Sequence, residues 1–190
     1  MLRTVYLMVT PRVVRAVREH FACPTLEGAE LEDQGGDGTA FTHWEKRIFQ
    51  NEAMTGTVHT AQPAYSMITL ALMEDSGWYA LLNYGNSAET LKHRYVPDYS
   101  RAHPLTWGRG AGCDFATKSC MELSDQAALL DIPSPFCNSL MADSERTFCT
   151  TDKSSVGSCN LVMYDEPLPS IYQNFQSIEG VSGQDVSKVH

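Results

Sequence analysis

The six cysteines, Cys23, Cys113, Cys120, Cys137, Cys149 and Cys159, constrain this chain more than any other feature, because five of them crowd into residues 113–159. An even number so placed points to disulfides and to a loop-rich region stapled by them. The late group is separated by six, sixteen, eleven and nine residues, so it holds no C-x-x-C pair of the kind a zinc ribbon uses. An oxidising compartment suits such a set better than a reducing cytosol.

The remaining composition excludes several classes of function. With 190 residues and 43% hydrophobic content, the chain is long enough for one cored domain and part of another. A net charge of -9 and a pI near 5.0 argue against a nucleic-acid partner, which needs a basic face. The longest strongly apolar run, Met67 to Met73, falls far short of the roughly 20 residues of a membrane-spanning helix, so no transmembrane segment is expected. The opening "MLRTVYLMVTPRVV" lacks the cationic, apolar and small-residue succession of a signal peptide.

Residues 10–22 should form a helix, with Thr10 as N-cap, Pro11 at the first helical position, and Val13, Val14, Val17 and Phe21 on one face. The glycine-rich and acidic stretch that follows, through Thr42, should be a loop delivering the chain to His43. A second helix is expected over "MITLALMEDS", capped by Ser66 and ended by Gly77 in a left-handed conformation. Its residues are apolar nearly all round, which predicts burial, with Trp78 and Tyr79 packing just beyond it. Near residue 108 cysteines, prolines and short apolar runs replace long periodic ones, and a boundary is placed there.

Five blocks carry a family resemblance. They are "TPRVVRAVREHFACPTLEGAELEDQGG", "THWEKRIFQNEAMTG", "ITLALMEDSGWY", "WGRGAGCDFATKSC" and "CNLVMYDEPLPSIYQNF". In this order, and over nearly the whole chain, they resemble the leishmanolysin family (peptidase M8) of zinc metallopeptidases, especially its animal leishmanolysin-like branch. The resemblance implies an α+β fold. Residues 1–107 would be a metzincin-like C-terminal catalytic lobe, mainly helix and loop, and residues 108–190 the loop-rich, disulfide-stapled start of a cysteine-rich domain. In this family zinc is held by two histidines of an H-E-x-x-H helix and by a later third histidine, which corresponds here to His43. Met54 corresponds to the methionine of the turn beneath the metal. A zinc-activated water then hydrolyses peptide bonds in protein or peptide substrates, with the Glu of the motif as general base. By the same analogy Cys23 pairs with Cys113 and Cys137 with Cys159, while Cys120 and Cys149 seek partners beyond the C-terminus.

The chain departs from the pattern in two places. None of its histidines, His20, His43, His59, His93, His103 and His190, forms an H-E-x-x-H motif, so two ligands and the catalytic Glu are missing. The expectation is a chain that begins after the catalytic helix, retains His43 as its sole metal ligand, and is inactive alone. In addition, "KHRYVPDYSRAHPL", residues 92–105, intervenes where family members connect directly, with Lys92, His93, Arg94, Arg101 and His103 clustered in it. A tolerated surface loop and an alternative exon or imperfect gene model are both open readings of this insert.

Each feature also has a plainer reading. A lone histidine is usually a surface or hydrogen-bonded residue. Met54 would be core filling, and Glu45, Glu52 and Glu74 solvated or helix-stabilising charges. His59 and Glu52 are the nearest substitutes for the missing ligands, without a spacing typical of a ligand set. Two functions follow: a fragment of a zinc metalloendopeptidase, or a non-catalytic binding or cell-adhesion module derived from the peptidase fold. In the second case the catalytic helix no longer covers "MITLALM", and an apolar patch is left open. The cysteines favour the secretory route or the cell surface, with the cytoplasm as alternative. Membrane-surface association would come through segments that this chain lacks.

Overall fold

Helix α1, Pro11–Phe21, forms where the apolar spacing places it, and buries Val13, Val17, His20 and Phe21 on one face. In a computed structural model, residues 4–57, 63–78, 96–131 and 136 are described, followed by the backbone of short strands between 147 and 188. Thr10 sits at the N-cap with extended backbone, but its side chain makes no cap. The cap comes instead from α3, Met67–Ser76, whose Asp75 accepts hydrogen bonds from the backbone N–H of Arg12 (2.8 Å) and Val13 (3.3 Å). A carboxylate there also faces the positive end of the helix dipole. Burial would raise the Asp75 carboxyl, but its hydrogen bonds, Arg12 and Val13 among the donors, outweigh burial and hold it below the usual carboxylate range. At the other end, Ala22 turns left-handed at φ 54°, and Cys23 N–H closes onto the Arg18 carbonyl at 3.0 Å.

Two short strands frame α1. β1, Leu7–Met8, pairs antiparallel with β2, Ala29–Glu30. The stretch expected as loop through Thr42 therefore contains a strand: Leu31 N–H bonds the Tyr6 carbonyl at 2.8 Å, and Leu31 bridges on to Trp44. The glycines and acids that break its helical period leave these few residues free to satisfy their backbone groups against β1.

After the one-turn helix α2, Lys46–Phe49, the chain reaches α3, whose two ends behave as expected. Ser66 Oγ accepts from Ile68 N–H at 3.2 Å, and Gly77 ends the helix at φ 66°. Its burial is one-sided, however. Ile68, Thr69, Ala71 and Glu74 face inward, while Met67 is exposed and Trp78 is 84% exposed instead of packing beyond the helix; Tyr79 lies outside the described residues. α3 packs chiefly against α1, and the two polar positions on its buried face, Thr69 and Glu74, serve hydrogen bonds and not apolar contact.

Phe21, fully buried, centres the core, with ring contacts to Phe49 at 5.8 Å and Phe115 at 6.0 Å; Trp44, Ile48, Ile68 and Leu105 are also fully buried. Leu105 belongs to the 92–105 insert, which from Val96 onward is more than a solvated loop. A 3-10 turn over Tyr99–Arg101 lets the Tyr99 hydroxyl donate to Glu74 at 2.8 Å, and His103 N–H bonds the Tyr65 carbonyl. Burial and the neighbouring Glu74 push the Tyr99 hydroxyl up to about 12. Arg101 and His103 themselves remain exposed; Lys92, His93 and Arg94 lie outside the described residues.

Helix α4, Gly112–Thr117, is held to this body by the disulfide Cys23–Cys113, with Cα atoms 4.8 Å apart, the pairing that the family resemblance implied. Buried Arg47 adds to it, bonding the Phe115 and Ala116 carbonyls and pairing with Glu30 at 3.2 Å. The chain divides into two compact units, Met1–Ala116 and Thr117–His190, where composition suggested a change at 108. The second unit contains α5, Cys120–Leu129, and β3 to β8, paired as two-stranded antiparallel sheets: β3 (Thr147–Cys149) with β4 (Val156–Ser158), β5 (Val162–Met163) with β8 (Val186–Lys188), and β6 (Ser177–Ile178) with β7 (Val181–Ser182). The mixture of helices and short sheets agrees with an α+β class. The expected Cys137–Cys159 pair lies outside the described residues.

Two predictions follow from these contacts. Replacing Cys23 and Cys113 together by Ala should lower the unfolding free energy by about 2–5 kcal/mol, the range for losing a long-loop disulfide, measurable by denaturant titration of oxidised protein. The second concerns His20, which donates from Nε2 to the Trp107 carbonyl at 2.8 Å. Burial lowers its pKa, opposed by that hydrogen bond and aided by the Arg109 charge. The stabilisation from a neutral buried His20 is therefore complete above the unfolded value of 6.5 and is lost as pH falls through the lower folded value. In a stability-against-pH series, His20→Gln should flatten this acid arm; an unchanged slope would assign the acid sensitivity elsewhere.

Candidate functional site

His43 and Met54, eleven positions apart in sequence, are brought together by backbone. Trp44 N–H donates to the Met54 carbonyl at 2.9 Å, and Trp44 forms a parallel bridge with Thr55. Across the same strand of chain, Glu32 N–H bonds the His43 carbonyl at 2.9 Å, so residue 43 is fixed on both sides. The imidazole is half-buried. Its Nδ1 lies 3.1 Å from the Thr39 carbonyl and 3.0 Å from Thr42 Oγ1. A carbonyl only accepts, so this geometry assigns the proton to Nδ1 and leaves Nε2 with a lone pair, the form in which a neutral imidazole ligates a metal. The donor chemistry of His43 thus fits one leg of a zinc site.

The sequence did not reveal what supports this pair. Glu52 is 2% exposed and accepts four hydrogen bonds: from Met54 N–H at 2.6 Å, Ser66 N–H at 3.0 Å, Ser66 Oγ at 2.9 Å and Thr69 Oγ1 at 2.6 Å. The indole of Trp44, which can only donate, bonds Thr69 Oγ1 at 2.9 Å, so the threonine hydroxyl passes its own proton toward Glu52. Glu52 is therefore neither solvated nor available as a substitute ligand. His59, the other proposed substitute, lies outside the described residues. Glu45 and Glu74 are also buried: Glu45 accepts from Arg47 N–H at 3.2 Å, and Glu74 pairs with Arg12 at 2.7 Å. For Glu45 the signal is local, an N-cap position before α2; for Glu52 and Glu74 it is the supply of donors from distant elements, which no local spacing encodes.

Among the described residues one cluster of three metal-capable side chains occurs, Glu32, Asp33 and Glu45, and His43 is not part of it. Glu32 accepts from the N–H groups of Gln34 (3.0 Å) and Lys46 (3.3 Å), which gives these acids a structural use. Burial, with Glu32 opposing, lowers the neighbouring Lys46 to about 8, and its ammonium donates to the Gln50 carbonyl at 2.6 Å.

A family model described as Leishmanolysin, peptidase M8, matches residues 3–188. The chain belongs to the leishmanolysin family. The leishmanolysin-like peptidase of Drosophila pseudoobscura pseudoobscura is 51% identical over 185 residues, which are 96% of this chain and 25% of that protein. That of Drosophila melanogaster is 52% identical over 180 residues, covering 94% of this chain and 24% of its own length. The leishmanolysin of Leishmania donovani is 36% identical over 163 residues, 85% of this chain and 23% of the relative. The chain thus spans about a quarter of the length of the curated relatives that it matches. The resemblance carried by the sequence blocks is borne out, and animal leishmanolysin-like peptidases share about half their aligned residues with it.

Within this leishmanolysin segment, Gly56 shows how tightly the methionine turn closes. A Cβ there would run into Thr39 Cγ2 and approach His43 Cβ at 3.8 Å. Thr39 is also the residue whose carbonyl holds Nδ1 of His43. Gly56→Ala should therefore push Thr39 away and cost about 1–3 kcal/mol, as overpacking does. The check is a thermal unfolding midpoint together with the chemical shift of the His43 ring; an alanine that leaves both in place would show that the turn has room.

Proposed function

We propose that this chain is the C-terminal part of a leishmanolysin-like zinc metalloendopeptidase. Residues 1–107 would complete the metallopeptidase catalytic domain with a metzincin-like lobe, and residues 108–190 would begin a cysteine-rich domain. The observation that carries this reading is the His43 imidazole, held by Nδ1 with Nε2 presented, beside the Met54 turn in a chain of the leishmanolysin family. His43 would be one zinc ligand and Met54 the packing beneath it. When bound, zinc supplies the Lewis acidity that activates water and polarises a peptide carbonyl. Among this chain's own residues, Thr39 and Thr42 orient the ligating ring and Trp44 fastens it to the turn.

One imidazole is not a zinc site, since catalytic sites use three protein ligands. The histidines and general base of an H-E-x-x-H helix would come from elsewhere in a longer protein, of which relatives offer about four times this length. The substrates would be proteins or peptides. The Cys23–Cys113 disulfide supports a secretory or cell-surface route. A second reading, a non-catalytic binding or adhesion module, draws on the core that closes around Phe21 from residues of this chain alone.

The test uses this chain beside a longer protein that includes an upstream H-E-x-x-H segment. The longer protein should contain one zinc and cleave denatured protein substrates, and His43→Ala in it should weaken zinc binding by at least ~10–100-fold, a loss that even changes outside the ligand set produce. The 190-residue chain should do neither. Cleavage by the short chain, or full zinc retention after His43→Ala, would overturn the assignment.

A further inference from the structure

We propose that Glu52 is a positioning residue for the His43 imidazole, acting through the methionine turn and not through contact with metal or substrate. This rests on the reading of His43 as a zinc ligand, but its physical content is a property of this chain alone.

Burying a carboxylate is costly unless donors replace the water it loses. Glu52 meets that cost with four donors drawn from two elements. Met54 N–H belongs to the turn, while Ser66 and Thr69 belong to the cap and first turn of α3. Two routes lead from this carboxylate to the ring. On the first, Oε2 holds Met54 N–H, the Met54 carbonyl holds Trp44 N–H, and His43 is the preceding residue; the Trp44 indole is tied back to Oε1 through Thr69. On the second, the same turn ends at Gly56, which lies against Thr39, and the Thr39 carbonyl accepts from Nδ1 of His43.

Both routes end on the choice of tautomer. The Thr39 carbonyl can only accept, so it holds the proton on Nδ1; the Thr42 hydroxyl, 3.0 Å from Nδ1, could serve either tautomer. Thr39 is braced by a turn whose position Glu52 sets against α3. If the brace is released, the Thr39 carbonyl no longer selects the tautomer, the Thr42 hydroxyl is free to donate to Nδ1, and Nε2 is no longer kept free for a ligand. An outer group that fixes the tautomer in this way typically changes metal affinity by 10–100-fold when removed. Glu52 differs from the usual partner of a ligating histidine, because it orders the backbone that carries the acceptor and does not accept the proton itself.

The experiment compares the whole 190-residue chain with Glu52→Gln and Thr69→Val. The first puts an amide donor among four donors; the second removes only the link between Glu52 and the Trp44 indole, at nearly constant volume, and keeps the test open if Glu52→Gln does not fold. Long-range proton–nitrogen spectra, taken where the ring is neutral, report the His43 tautomer, and unfolding midpoints report stability separately. The expected result is a loss of the Nδ1–H signature of His43 in the folded variants, with the Nε2–H signature of His20, which donates to the Trp107 carbonyl, unchanged. A lower midpoint with the His43 signature intact makes Glu52 merely structural and overturns the proposal. In the longer protein, Glu52→Gln should weaken zinc binding by ~10–100-fold. Full zinc retention after His43→Ala would instead defeat the ligand assignment, whatever the tautomer result shows.

Discussion

The first unit is organised around the carboxylate of Glu52, because it joins the turn at Met54 to the cap and first turn of α3 and, through Thr69, to the Trp44 indole. A hydrophobic core fixes volume but leaves sliding motions cheap. A buried carboxylate with four directional donors does not, since moving any one element leaves a desolvated acceptor or donor without a partner. The segment 43–55 has little regular structure, only the single turn of α2 and isolated bridges at Trp44, Glu52 and Thr55, so backbone hydrogen bonds supply only part of this rigidity. Side-chain bonds supply the rest.

The same solution recurs at three other positions. Asp75 caps α1 from α3, Glu74 joins Arg12 of α1 to Tyr99 of the insert, and Glu30 pairs with Arg47, whose guanidinium also holds the end of α4. Each carboxylate receives donors from elements far apart in sequence. An acidic chain thereby uses part of its negative charge inside, where cations and N–H groups offset it, and the elements are placed by direction as well as by apolar area. The Arg12 pairs are partly open to solvent and add more to geometry than to stability.

Much of this fold was legible in the sequence. The spacing of Val13, Val17 and Phe21 gave α1, Ser66 and Gly77 gave both ends of α3, and the resemblance to leishmanolysins gave the Cys23–Cys113 pair and the meeting of His43 with Met54. Local rules failed where a partner arrives from a distance. Thr10 has the composition of a cap, yet Asp75, more than sixty residues later, performs it. Glu45 is the helix-stabilising charge its position allows, capping α2 through Arg47 N–H, whereas Glu52 and Glu74 look solvated because donors reach them from other elements. The run "MITLALM" looks buried all round because hydropathy counts residues and not covering neighbours; Met67 and Trp78 lie open. Periodicity reports which face of an element is apolar, whereas burial depends on what the rest of the chain places against it.

The Cys23–Cys113 bond has a consequence for how the protein endures damage. It joins residues 90 positions apart, and the span between them includes His43, the methionine turn, α3 and the insert. A single backbone cut anywhere inside that span yields two pieces still covalently joined, kept near one another at high local concentration. The turn and the ring that it supports can then persist in nicked protein, and the break becomes visible by size only after the thiols are reduced.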